Sequence, residues 1–180
     1  TLVNNAGIGY WGKFVDEDPS QIERMLSLNV VGLTYLTRRS IELMRGKGGT
    51  ILNVASAAAL IPPPPMVAAY AASKKYVRYF TEAIEYELRN EKIFVSLLYP
   101  PDVETGFQKE AGASESFKLG ANEMTVDDIA RIAYRQLAKG KKRITPRIFR
   151  DKILDRVCCV LPRNVYNRMI TGMVSERIAK

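Results

Sequence analysis

The sequence predicts an α/β fold, a parallel β-sheet covered by helices on both faces. Three apolar, β-prone runs carry this expectation: Thr1-Leu2-Val3, Thr50-Ile51-Leu52-Asn53-Val54 and Ile93-Phe94-Val95-Ser96-Leu97-Leu98-Tyr99. Amphipathic stretches with helical spacing separate them. Strand and helix signals in alternation are the pattern of a parallel sheet built from crossover units.

Each element follows from local chemistry. Asn4-Asn5-Ala6-Gly7 breaks the first run into a loop. Asp18-Pro19 then reads as an N-cap with proline at the first helical position. Ile22, Met25, Leu26, Leu28, Leu33, Leu36, Ile41 and Met44 continue at largely helical spacing, and the Gly46-Lys47-Gly48-Gly49 cluster ends the helix. The second strand runs into a loop stiffened by Pro62, Pro63, Pro64 and Pro65, and a helix is predicted from about 68 to 89. Pro100-Pro101 stops the third strand. Residues 102–124 read as loop. Thr125-Val126-Asp127-Asp128 resembles a capping box and opens a helix to about Lys139. Arg143-Ile144-Thr145 is a short fourth strand, and 151–180 an amphipathic helical extension interrupted at Pro162. With no internal repeat and no boundary, residues 1–180 read as a single domain.

Composition narrows the chemistry. The chain has 180 residues, 47% of them hydrophobic and 26% charged, which is ordinary for a globular domain. It has no histidine, so a Ser-His-Asp hydrolase is excluded. Its two cysteines, Cys158 and Cys159, are adjacent, which excludes a disulfide framework and leaves too few ligands for an ordinary zinc site. No metal is expected. Any general acid or base must come from Tyr, Lys, Asp or Glu. No apolar run approaches the roughly 20 residues that span a bilayer, and the opening residues carry no basic leader. The expected location is cytoplasmic. The net charge of +8, dense at Lys139, Lys141, Lys142, Arg143, Arg147, Arg150 and Lys152, reads as solvated surface, without a nucleic-acid motif.

In open parallel sheets, ligands bind beyond the carboxyl ends of the strands. That singles out Asn4 to Gly7, Ser56, and Pro100 to Thr105. Tyr70 and Lys74 lie four residues apart on a predicted helix, so at about 100° per residue they share a face. A cation beside a phenol favours the phenolate and lowers the usual tyrosine pKa of ~10. A tyrosine so tuned exchanges a proton with a substrate oxygen. Ser56 is placed to hydrogen-bond the same oxygen, although a serine after a strand is usually a cap. Asn29 stands inside a helical pattern that disfavours asparagine, with Gly32 soon after. A local rule broken mid-helix often marks a functional or strained site; the alternative is a surface asparagine or a break between two helices.

Taken in order, Asn4-Asn5-Ala6-Gly7, Asn29-Val30, Ser56, Tyr70-Ala71-Ala72-Ser73-Lys74 and Pro100-Pro101-Asp102-Val103-Glu104-Thr105 resemble the short-chain dehydrogenase/reductase family over about residues 1–105. The resemblance implies a Rossmann-like, doubly wound parallel sheet, here its C-terminal portion, and an NAD- or NADP-dependent oxidoreductase. By the same resemblance Tyr70 is the general acid or base, Lys74 lowers its pKa and binds the nicotinamide ribose, and Ser56 holds the substrate carbonyl. Asn29 fixes a water linked to Lys74. Asn5, Ala6 and Gly7 line the adenosine side of the cofactor, and Pro100, Val103 and Thr105 wrap the nicotinamide end.

Two departures stand out. The family usually has Pro-Gly where this chain has Pro100-Pro101, which changes the nicotinamide loop. The family's glycine-rich first turn is missing, so the sequence reads as a piece of a longer protein, inactive alone. The alternative is a non-catalytic binding or scaffold relative, or a truncated pseudoenzyme.

The expected substrate is an apolar or amphipathic carbonyl or alcohol, covered by Phe107, Phe117, Leu119 and Met124 with the 62–66 loop opposite; the equal alternative is that these apolar residues simply pack the lid. A homodimer or homotetramer is implied by resemblance. The 151–180 segment, with Val165, Met169, Met173 and Val174 among basic residues, offers a weaker membrane-surface alternative.

Overall fold

A computed structural model describes residues 1–61, 65–101, 103, 107, 111, 124–146, 162, 164 and 165. Four strands form one sheet in the order β1 (Leu2–Asn4), β2 (Gly49–Val54), β3 (Ile93–Leu98), β4 (Arg143–Ile144). Every neighbouring pair is parallel. The helices are α1 (Pro19–Leu26), α2 (Leu33–Met44), α3 (Ala68–Glu87) and α4 (Val126–Ala138). The predicted α/β class and its parallel sheet are therefore observed. The 151–180 extension, Phe117, Leu119, Thr105, Pro62–Pro64, Arg147, Arg150 and Lys152 lie outside the described residues, save Pro162, Asn164 and Val165.

Alternation along β2 decides which helix goes where, because successive side chains point to opposite faces. Ile51 joins Ile84, Leu88, Ile93 and Val95 in a cluster that also takes Ile41 and Met44 from α2. Leu52 and Val54 point the other way and pack with Leu98, Ile129, Ala133 and Ile144. Helices α2 and α3 thus cover one face and α4 the other. Burying such side chains is worth roughly 1.5–3 kcal/mol each and fixes the register.

Caps and glycines set the helix ends. The Asp18 side chain accepts from the Ser20 N–H at 2.9 Å, with Pro19 at the first position. Thr125 and Asp128 form the reciprocal capping box, at 3.1 and 3.0 Å. After α2 the chain turns through Gly46 and Gly48 with φ of 73° and 82°. A Cβ at Gly48 would sit 2.9 Å from the Lys92 carbonyl oxygen, so a side chain fits neither the backbone conformation nor the space.

Two expectations are corrected. Asn4 does not break the first strand; it is the last residue of β1, opposite Asn53. Its Nδ2 donates to Asn53 Oδ1 at 2.8 Å and to Thr37 Oγ1 at 3.0 Å, and Asn53 Nδ2 donates to Thr81 Oγ1 at 2.9 Å. The chain of bonds ties α2, β1, β2 and α3 together on one face. Polar side chains persist in this core because they satisfy one another.

The second correction concerns the long helix. It does not run uniformly from Pro19 to Met44 but passes through a wider π turn at Ser27–Gly32. The buried positions Met25, Asn29, Leu33 and Thr37 advance by four. On a regular helix each such step drifts by about 40°, and the wider turn absorbs the drift.

The basic surface is partly neutralised: Lys142 pairs with Glu85 at 2.9 Å and Arg143 with Glu82 at 3.2 Å. Among the described residues no helix is long and apolar enough to cross a membrane. None of them form a cluster of three or more potential metal-ligating His, Cys, Asp or Glu side chains.

Candidate active site

The buried stripe of α3 runs Tyr70, Lys74, Val77, Thr81, Ile84. Apolar side chains are the ordinary occupants of such a stripe. Its first two positions hold a phenol and an ammonium instead. Lys74 is only 5% exposed. Its Nζ donates to the Val54 carbonyl oxygen at 3.2 Å, at the carboxyl end of β2. Burial disfavours the charged form and lowers its pKa to about 8.

The loop after β1 runs along these two side chains. A Cβ at Gly7 would lie 3.0 Å from Lys74 Nζ and 3.2 Å from Asn29 Oδ1. A Cβ at Gly9 would lie 3.1 Å from Tyr70 Cδ2 and 2.7 Å from Phe107 Cζ. Two residues of extended chain cover about the same distance as one helical turn. Gly7 therefore meets Lys74, and Gly9 meets Tyr70, one turn earlier. The two glycines let the backbone approach this closely. Tyr70 and Phe107 pack with ring centroids 5.7 Å apart.

Asn29 fixes that loop from the other side. It is buried in the π turn. Its Oδ1 accepts from the Ile8 N–H at 3.0 Å and its Nδ2 donates to the Ile8 carbonyl at 2.8 Å. Nδ2 also donates to Ser73 Oγ at 3.1 Å, and Ser73 Oγ donates to the Tyr70 carbonyl at 2.7 Å. One asparagine thus joins the π turn, the loop and the helix that carries Tyr70. π turns inside helices are frequent at functional sites.

These residues fall within a match to the family described as short chain dehydrogenase, over residues 1–116. The chain belongs to that family. Among its relatives, 3-ketodihydrosphingosine reductase of Bos taurus is 37% identical over 110 residues, covering 61% of this chain and 33% of that protein. The matched part is thus about a third of the bovine reductase. The uncharacterized oxidoreductase YbbO of Escherichia coli K12 is 29% identical over 183 residues, covering 95% of this chain and 66% of its own length. Among solved structures, a short-chain dehydrogenase from Sphingobium yanoikuyae in complex with NADPH aligns with a TM-score of 0.77 and 27% identity. It covers 87% of this chain and 61% of that one. One from Burkholderia phymatum in complex with NAD aligns at 0.73 and 26%, covering 87% and 63%.

The remaining predicted residues of this short-chain dehydrogenase chain divide. Ser56 stands at the carboxyl end of β2, where its Oγ accepts from the Ala58 N–H at 3.1 Å and caps a short 3-10 turn. The Pro100 carbonyl accepts from the Ala57 N–H at 3.0 Å, tying the exits of β2 and β3 together. Asn5 and Ala6 are exposed, and Gly7 is half-buried against Lys74 and Asn29. The side chains of Val103 and Met124 pack on the Leu52 and Ile129 cluster of the α4 face. Thr105 lies outside the described residues.

Sequence reasoning did not single out Gly9, Arg24 or Ser73. Only Ser73 left a trace, quoted within Tyr70-Ala71-Ala72-Ser73-Lys74 without a role of its own.

Gly7→Ala is expected to push Lys74 Nζ or the Asn29 carbonyl aside. Asn29 is fixed by its bonds to Ile8 and Ser73, so the ammonium at the end of the flexible lysine chain is the group that gives way, and the chain still folds. Displacement of a reacting group by about 1 Å can cost 10²-fold. The expected outcome is a fall in kcat of roughly 10-fold or more, with a melting temperature within a few degrees of wild type. An unchanged kcat refutes this role for the glycine.

Proposed function

We propose that the chain is the catalytic portion of an NAD(P)-dependent oxidoreductase that interconverts a carbonyl and a secondary alcohol by hydride transfer. The observation that carries the reading is the buried Lys74 beside Gly7. Among the described residues its Nζ has one acceptor, the Val54 carbonyl. An ammonium has three N–H donors. Two remain for hydroxyl groups such as those of a nicotinamide ribose, and the missing Cβ of Gly7 leaves backbone rather than side chain at that place. The residues thus fit the cofactor, which when bound supplies the hydride.

In this reading Tyr70 donates its phenolic proton to the substrate oxygen during reduction and takes it back during oxidation. Lys74 stabilises the phenolate and orients the ribose. Ser56, in a turn beside the β2 exit, holds the substrate oxygen. Asn29 keeps the Ile8 backbone and the first turns of α3 in register, and carries the water that leads to Lys74. Tyr70 packs with Met25, Val67, Ala71, Ile8 and Phe107. These apolar walls suit an apolar or amphipathic carbonyl compound and help to exclude water. The similarity to 3-ketodihydrosphingosine reductases supports a long-chain ketone. Exposed Val31, Tyr35, Tyr76, Tyr79 and Tyr86 supply apolar surface for a homodimer or homotetramer.

The test uses the protein at the full length its gene encodes. NADPH and NADH oxidation is followed at neutral pH with a panel of long-chain, cyclic and aromatic ketones. Turnover of at least one apolar ketone is expected. Cofactor binding without any turnover across the panel would favour a non-catalytic role and overturn the reading.

A further inference from the structure

An open cleft of ≈ 380 Å³ lies beside Tyr70, lined by Ile8, Gly9, Arg24 and Phe107. Its volume lies within the ~300–1,000 Å³ range of small-molecule sites. Gly9 is part of its lining, and the Tyr70 and Phe107 rings stand directly against that glycine. One wall is apolar, from Ile8 and Phe107. The other is the guanidinium-bearing side chain of Arg24, in the last turn of α1. The three arginines of α2 and α3 are paired, Arg38 and Arg39 with Glu42 and Arg78 with Glu82. No carboxylate among the described residues pairs with Arg24. An arginine that lines a half-apolar cleft, with no carboxylate partner among the described residues, has a recognition geometry suited to carboxylate or phosphate oxygens.

We propose that Arg24 is a specificity-determining residue that binds an anionic oxygen group of the substrate. Resting on the reading of Tyr70 as proton donor, the substrate is then an amphipathic carbonyl compound with a carboxylate or phosphate on the Arg24 side. Its apolar part lies on Ile8 and Phe107, and its carbonyl lies toward Tyr70. The charge sets which substrates are taken, while the chemistry at the carbonyl is that of any ketone.

Binding is tested apart from turnover. Trp11 is the chain's single tryptophan and packs in the same cluster as Ile8, Phe107 and Tyr70. Its fluorescence is titrated with octanoate, octyl phosphate and octan-1-ol on the full-length protein. One or both anions are expected to bind about tenfold or more tightly than the alcohol, the range of a charge-assisted hydrogen bond. The better anion distinguishes carboxylate from phosphate recognition. Arg24→Gln is expected to remove the preference and Arg24→Lys to keep part of it.

In turnover, a medium-chain keto acid is compared with its methyl ester. Arg24→Gln is expected to lower the acid-to-ester ratio of kcat/KM by roughly 10- to 100-fold. Equal binding of anions and alcohol in the wild type overturns the proposal. So does an Arg24→Gln variant that weakens all three ligands alike, as a purely structural role would. An anion preference without turnover of any ketone supports the Arg24 site and counts against the oxidoreductase reading, so the two fail separately.

Discussion

Tyr70→Phe is expected to lower kcat for ketone reduction by about 10²–10⁴-fold, the usual contribution of a positioned general acid. The substitution removes one oxygen and leaves the ring against Phe107 and Gly9. Packing in the cluster with Met25, Val67 and Ala71 is retained, and losing a single hydroxyl costs at most about 1 kcal/mol of stability. The effect on rate should therefore far exceed the effect on folding. Cofactor affinity, read by nicotinamide fluorescence, should change by less than about threefold, because the ribose contacts assigned to Lys74 remain. Single-turnover hydride transfer is the deciding measurement. A variant that retains more than a tenth of the wild-type rate removes Tyr70 from the proton-transfer role.

Lys74→Met is expected to abolish turnover and, in the cofactor-free protein, to raise stability at neutral pH. The sign follows from linkage. The folded pKa, about 8, lies below the ordinary lysine value of 10.5. Between these values the unfolded chain binds more protons than the folded one, so wild-type stability rises with pH across that window. Below pH 8 the folded state carries the full cost of burying the charge, on the order of 3 kcal/mol. Removing the lysine also leaves the Val54 carbonyl without its 3.2 Å donor, a loss of about 1–2 kcal/mol. The desolvation cost is the larger, so the methionine variant should be more stable by about 1–2 kcal/mol at pH 7. The advantage should shrink and reverse above pH 10. Denaturant melts of both proteins at pH 7 and pH 10 check it, and the difference between them cancels the titration of other lysines and tyrosines. A gap that is the same at both pH values contradicts the burial of a charged Lys74.

Such a trade explains why an ammonium is found on the buried stripe of α3. In the proposed reading the site needs a cation close to the Tyr70 phenol, and water must be kept from screening it. The fold tolerates the cost because Val77, Thr81, Ile84 and Leu88 anchor the rest of the helix on the sheet.

Much of this was legible in the chain itself. The three apolar strand runs, the Asp18-Pro19 start, the Thr125 capping box and the glycine stop after Met44 rest on local propensity and patterning, which act within a few residues. The Tyr70 and Lys74 pair was legible because helical spacing is fixed. Asn29 stood out as a poor helix former inside a helix. Asn4 was misread as a breaker because its partners are distant in sequence: Asn53 and Thr37 accept from its side chain and hold it in the ladder.

By itself, the sequence determined the class of fold, the order of its elements and the placing of Tyr70 and Lys74 on one face of a helix, since each depends on neighbours within a turn or two. Tertiary structure alone decided that the loop after β1 runs along α3, bringing Gly7 to Lys74 and Gly9 to Tyr70. It alone decided that Asn29 grips Ile8 from a widened helical turn, and that Arg24 faces the same cleft as Phe107. Those meetings join segments tens of residues apart. They are set by packing against a shared sheet, and no short stretch of chain carries the information.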